Sequence, residues 1–168
     1  RQVYTIHNGI DESDIKSKAA CEPVFAGEAI DIGIIVRLEP VKRVDLFLEA
    51  IAKVREAHPD YSLRGHIIGD GNQREPLKSL AKELSLEDSL EFHGHRSDVP
   101  RCLASLNLLV MPSDHEGTPM VVLEALALEA IVQLLPELGQ LQVSLENRYR
   151  ASQNAESTLA LYHKLKRY

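Results

Sequence analysis

The sequence predicts an open α/β domain, a Rossmann-like parallel sheet with helices on both faces. Short apolar runs alternate with segments of helical period from Ile30 to about Leu128. The loops that follow those runs gather glycines and charged residues, as in Gly69-Asp70-Gly71 and Ser113–Thr118. The size agrees: 168 residues, 44% apolar and 26% charged, make one domain able to bury a core. Strands that alternate with helices need right-handed crossovers onto a parallel sheet, which gives a doubly wound domain.

Each element has its own signal. Ile30 to Val36 is a strand by its apolar run, and Val44, Phe47, Leu48, Ile51 and Val54 then share one helical face. Leu63 to Ile68 predicts a second strand, closed by the Gly-Asp-Gly turn. Leu77, Leu80, Ala81 and Leu84 define the next helix, where Pro76 fits only near the start. Leu90 to His93 reads as a short strand, Val99 to Ser105 as a short helix, and Leu106 to Met111 as a strand. Thr118-Pro119 then reads as N-cap and first helical residue of a helix that runs through Leu128.

The net charge of −6 argues against nonspecific binding to nucleic acid or an anionic membrane, while leaving room for a local cationic pocket. Cys21 and Cys102 lack metal-ligand spacing and fit a reducing compartment. No run is long and apolar enough to span a bilayer, so the expected location is cytoplasmic, with a parent protein peripheral at the membrane. The chain opens at Arg1 and reads as a piece of something longer.

In doubly wound sheets ligands bind beyond the carboxyl ends of the strands. The loops there are 37–42, 69–72, 94–98 and 113–118, and the unusual residues cluster in them. The helix after Thr118 presents free amides and a positive dipole end, suited to a phosphate. Arg37, Lys42 and Arg43 supply cations for a diphosphate, although such a run is also what a solvated turn looks like. Glu116 sits in the loop and Glu124 in an otherwise apolar run, where an unpaired charge is costly. Glu124 is therefore ion-paired, on a solvent stripe, or bound to hydroxyls such as a sugar diol. His93-Gly94-His95 lacks a third ligand, His115-Glu116 fails the zincin spacing, and no Asp-x-Asp pair occurs, so no metal is expected.

Together these pieces resemble the carboxy-terminal half of a family 4 (group 1) retaining glycosyltransferase of the GT-B fold. The resembling stretches are TIHNGID (5–11), RLEPVK (37–42), IIGDGNQREPL (67–77), LEFHGHRSDV (90–99), LLVMPSDHEGTPMVVLEALAL (108–128) and the tail RYRASQNAESTLALYHKL (148–165). The resemblance implies a nucleotide-sugar donor, UDP- or GDP-linked, with no metal and no other cofactor. Arg37 and Lys42 match the diphosphate-binding pair, and Glu116 matches the first glutamate of the E-x7-E element, beside the donor sugar. Glu124 matches the second, which holds the ribose. Gly117 and Thr118 would face the diphosphate or sugar, and Gly94, His95 and Arg96 would edge the base. His7-Asn8-Gly9 would lie at the hinge to an amino-terminal half that receives a glycan, lipid-linked or small-molecule acceptor.

The implied division is an entry segment over 1–28, a donor-binding domain over 29–147 and a closing helix over 148–168. The sequence departs from the pattern at Val36 and Arg43, where glycines are common, and at Glu129, where a helix-ending glycine is usual. An internal segment is missing near 129–143, where the chain passes at once into QLLPELGQLQVSLENRYR, an amphipathic helix by pattern. The parent is expected to be a retaining transferase and this piece alone inactive. The alternative is a domain that holds a nucleotide or nucleotide-sugar without chemistry.

Overall fold

The computed structural model describes residues 9–25, 27–116, 119–128 and the backbone of 132–134. A five-stranded parallel sheet is its centre: β1 (Ile30–Ile35), β2 (Leu63–Ile68), β3 (Leu90–Gly94), β4 (Leu108–Met111) and β5 (Val132–Leu134), in the order β3-β2-β1-β4-β5. The helices are α1 (Glu12–Ala19), α2 (Val44–Ala57), α3 (Arg74–Glu83), α4 (Val99–Ser105) and α5 (Met120–Ala127). The predicted α/β class and every predicted strand through Met111 are present.

Helix α2 forms because its apolar residues recur at helical spacing. Val44, Phe47, Leu48 and Ile51 are buried against β1 and β2, whereas Val54 remains exposed as the helix leaves the sheet. Leu77 and Ala81 of α3 join the same cluster. On the opposite face Cys102 and Leu103 of α4 and Val122 and Ala125 of α5 pack with Leu109, Met111 and Phe25. Each fully buried Leu, Ile or Phe contributes about 1.5–3 kcal/mol of transfer free energy, so both layers are needed to hold the sheet.

Two elements differ from the sequence expectation. The entry segment contains α1, capped by Asp11, whose carboxylate accepts from the Asp14 amide at 3.0 Å. Lys16 pairs with Glu12 and Lys18 with Asp14 one turn apart, and buried Ile15 holds the helix against α4 and α5. Only one apolar residue anchors it, so hydrophobic period gives no signal here; capping and ion pairing do. Second, Gln133 and Leu134, expected in an amphipathic helix, are part of strand β5 beside β4. A three-residue strand at a sheet edge is too short to show a period.

Candidate functional site

The strand order reverses between β1 and β4. Chain from β1 goes outward through β2 to β3, then returns to β4 on the other side. The loops beyond the carboxyl ends of β1 and β4 therefore diverge and leave a crevice, as the geometry of doubly wound sheets requires. A cleft of about 420 Å³ lies there, lined by Ile35, Val36, Arg37, Glu39, Lys42, Glu116, Pro119, Met120 and Val121. Three predicted site residues, Arg37, Lys42 and Glu116, meet in it from two loops and one sheet.

Their electrostatics are paired. Lys42 Nζ donates to Glu116 Oε1 at 2.7 Å, both side chains about three-quarters buried. Arg37 donates to Glu39 Oε1 at 3.3 Å from a largely exposed side chain. Without a ligand each cation thus borrows a carboxylate. A diphosphate entering the cleft would take both cations through stronger, partly bidentate bonds. The half-exposed Met120 offers an apolar wall. Glu39 and Met120 were not singled out from sequence; the loop position of one and the exposed helix start of the other are the only signals.

Local backbone geometry fixes these loops. Gly69 has φ +133°, and a Cβ there would lie 1.8 Å from the Val36 carbonyl oxygen. Its amide donates to the Gly94 carbonyl, while the Val36 amide donates to Ile68, so the ends of β1, β2 and β3 are tied together. The Asp114 amide donates to Val41, which ties the loop after β4 to the loop after β1. Val36 lines the cleft and also packs against both apolar layers.

Several expected roles change. Arg43 does not face the cleft as spare charge: its guanidinium is held by both oxygens of Asp45 and by Asp114 at 3.1 Å. Those carboxylates hold its pKa well above the ordinary arginine value. Arg43 sits at φ 47°, ψ 44°, a left-handed conformation that glycine adopts more readily. Arg96 is likewise engaged, bidentate to Asp98 at 2.9 and 2.6 Å, and these hydrogen bonds lower the Asp98 pKa. Gly94 has φ +69° and closes β3, and His95 is exposed beside it. Helix α5 begins one residue later than expected, with Pro119 as its N-cap at ψ 115°. The proline carbonyl accepts from the Val122 amide and no side chain caps the helix among the described residues. Gly117, Thr118, Glu129, His7, Asn8 and the tail over 148–168 lie outside the described residues.

Glu124 is half-buried and has neither a hydrogen-bond nor an ion-pair partner among the described residues. It is not one of the residues lining the cleft. Burial raises its pKa, and only the attraction of Lys18 on α1 opposes this. Of the three explanations open to it, pairing with a cation in contact is not the one the geometry gives.

A second polar cluster lies across one face of β1, β2 and β3. Arg64 grips buried Asp31 at 2.9 and 3.1 Å, and Asp31 accepts from His66 Nε2 at 2.9 Å. His66 Nδ1 lies 2.9 Å from His93 Nε2, and Phe25 stacks on His66 at 3.8 Å. Burial and the nearby His66 lower the His93 pKa. His93 therefore partners His66 rather than His95, a contact 27 residues apart that spacing cannot reveal.

A parallel sheet with a charged cleft at its reversal point, lined by two cations and two carboxylates, defines a Rossmann-like α/β domain. Residues 21–139 match the family described as glycosyl transferases group 1, and the chain belongs to that family. It is 34% identical over 116 residues to an uncharacterized glycosyltransferase of Haemophilus influenzae, covering 67% of this chain and 32% of that protein. It is 30% identical over 132 residues to the N-acetyl-alpha-D-glucosaminyl L-malate synthase of Bacillus anthracis, covering 76% and 34%. The fold is also that of Anabaena HepE crystallised with UDP, at TM-score 0.60 and 23% identity, covering 76% of this chain and 36% of that one. The chain spans about a third of the length of these relatives. No helix among the described residues is long and apolar enough to cross a membrane.

Proposed function

We propose that this chain is the donor-binding part of a transferase that moves a sugar, with retention, from a nucleoside diphosphate to a hydroxyl acceptor. The observation that carries this reading is the cleft at the β1/β4 reversal, where Arg37 and Lys42 stand opposite Glu116. The diphosphate leaving group takes up Arg37 and Lys42, and their charge offsets the negative charge that develops as the glycosidic bond breaks. Glu116, released from Lys42, is then free to accept from the sugar hydroxyls. Glu124, one turn along α5 from the cleft-lining Met120, accepts from the ribose hydroxyls, which gives its carboxylate partners it lacks among the described residues. Gly94, His95 and Arg96 border the base, with Arg96 oriented by Asp98.

UDP is the first donor nucleotide to test, because a protein of the same fold binds it. The acceptor belongs to the part of the protein beyond this chain, and no metal is required for diphosphate binding by this cation pair.

The experiment is a calorimetric titration with UDP, GDP and ADP, repeated on Arg37→Ala and Glu124→Ala. One nucleotide should bind saturably, with loss of each charged contact weakening it about 10-fold or more. A folded protein that binds none of the three would refute the donor site.

A further inference from the structure

Outside the cleft, the polar face of β2 and β3 gathers three metal-ligating side chains. His66 Nδ1, His93 Nε2 and a Glu91 carboxylate oxygen all lie within 4.8 Å of one another. Backbone register places them: His66 pairs with Glu91 across β2 and β3, and Glu91 and His93 stand two residues apart on one face of β3. None of the three lines the donor cleft.

We propose that His66, His93 and Glu91 form a binding site for a divalent transition-metal ion, zinc by its ligand set, which fastens the edge strand β3 to β2. Two imidazoles and a carboxylate are a common zinc donor set, with the fourth position left to water. Two of the pairwise spacings are near those of a tetrahedral site, 2.9 Å between the two ring nitrogens and 3.7 Å from Glu91 Oε2 to His93 Nε2, and the third is no more than 4.8 Å. Metal–ligand bonds of about 2.0–2.1 Å in a tetrahedron separate ligand atoms by roughly 3.3 Å, so the rings need part only by a few tenths of an ångström.

The surroundings prepare His66 as a ligand. Asp31 accepts from Nε2, so that nitrogen carries the proton and Nδ1 offers its lone pair. Arg64 holds Asp31 bidentately and fixes its orientation. This is the carboxylate–histidine arrangement that orients metal-bound imidazoles and raises their basicity. Phe25 covers His66 at 3.8 Å and His93 at 5.2 Å, excluding water from one side. Without metal, the single proton between the rings is carried by His93 Nε2; on binding it moves to His93 Nδ1, and both facing nitrogens become donors to the ion. The exposed Glu91 needs only a side-chain rotation to close the site.

The test is titration of zinc, and of cobalt as its coloured substitute, into the protein carrying Cys21→Ser, which removes the exposed thiol as a competing ligand. One equivalent should bind, cobalt should give the intense visible bands of low coordination number, and zinc should raise the unfolding temperature. The exposed Glu91→Gln and the largely buried His93→Ala, both checked for folding by circular dichroism, should each weaken zinc at least about 10-fold and remove its effect on unfolding. His95→Ala and His115→Ala should leave both unchanged. Absence of saturable binding, or binding that survives His93→Ala and Glu91→Gln in a folded protein, would overturn the site.

Discussion

Glu124 carries a charge that its surroundings oppose. Burial raises its pKa above the ordinary glutamate value of 4.5. Between that value and the raised one the folded state holds more proton than the unfolded state, so stability falls as pH rises through this window. Glu124→Gln removes the penalty: it should melt higher than the parent sequence at pH 7 and equal to it at pH 4, by calorimetry. If the proposed ribose contact holds, the same variant should also bind nucleotide more weakly, an exchange of function for stability. Equal melting at pH 7 would show that the carboxylate is solvated. Lys42 offers the converse case. Its 2.7 Å bond to Glu116 must break for a diphosphate to bind, so Glu116→Gln should leave UDP affinity the same or tighter. A large loss of UDP affinity would mean that Glu116 orients Lys42 rather than competing for it.

At the level of elements, the site depends on three strand ends held in register. Gly69 is the residue that permits this, since any Cβ would meet the Val36 carbonyl at 1.8 Å in a backbone of φ +133°. Gly69→Ala should cost about 2 kcal/mol or more, seen as a lower denaturant midpoint at unchanged slope. It should also loosen the loop carrying Arg37. An unchanged midpoint would show that the close approach is not maintained in solution. This layout explains which elements could be read from sequence. Strands β1 to β4 and helix α2 are apolar runs or stripes dictated by burial on one or both faces, so period alone reveals them. Helix α1 buries one residue and β5 has three, too few for a period. That Arg37, Lys42 and Glu116 come together in one cleft was legible because parallel sheets put their loops at one end. The commitments of Arg43 to Asp45 and Asp114, and of His66 to Asp31 and His93, depend on contacts across strands and loops that spacing does not encode.

The described part of the molecule has one sheet with a separate apolar layer on each face. Ile67 and Ile68 show the arrangement within two residues: successive side chains of β2 point to opposite faces, and they enter different clusters. Both are essentially inaccessible to solvent. Because the strand between them is shared, neither layer can melt without releasing the hydrogen bonds that support the other. Ile67→Val and Ile68→Val should each cost about 0.5–1.5 kcal/mol and shift one common transition, whether followed by backbone or aromatic signals. Their side chains do not touch, so the double variant should cost the sum within roughly 0.5 kcal/mol. Two separated transitions, or a shift seen by one probe alone, would mean that the layers unfold independently. In that event the loops beyond β1 and β4 would lose their fixed spacing before the sheet melts. Nucleotide affinity would then fall with temperature well below the main transition.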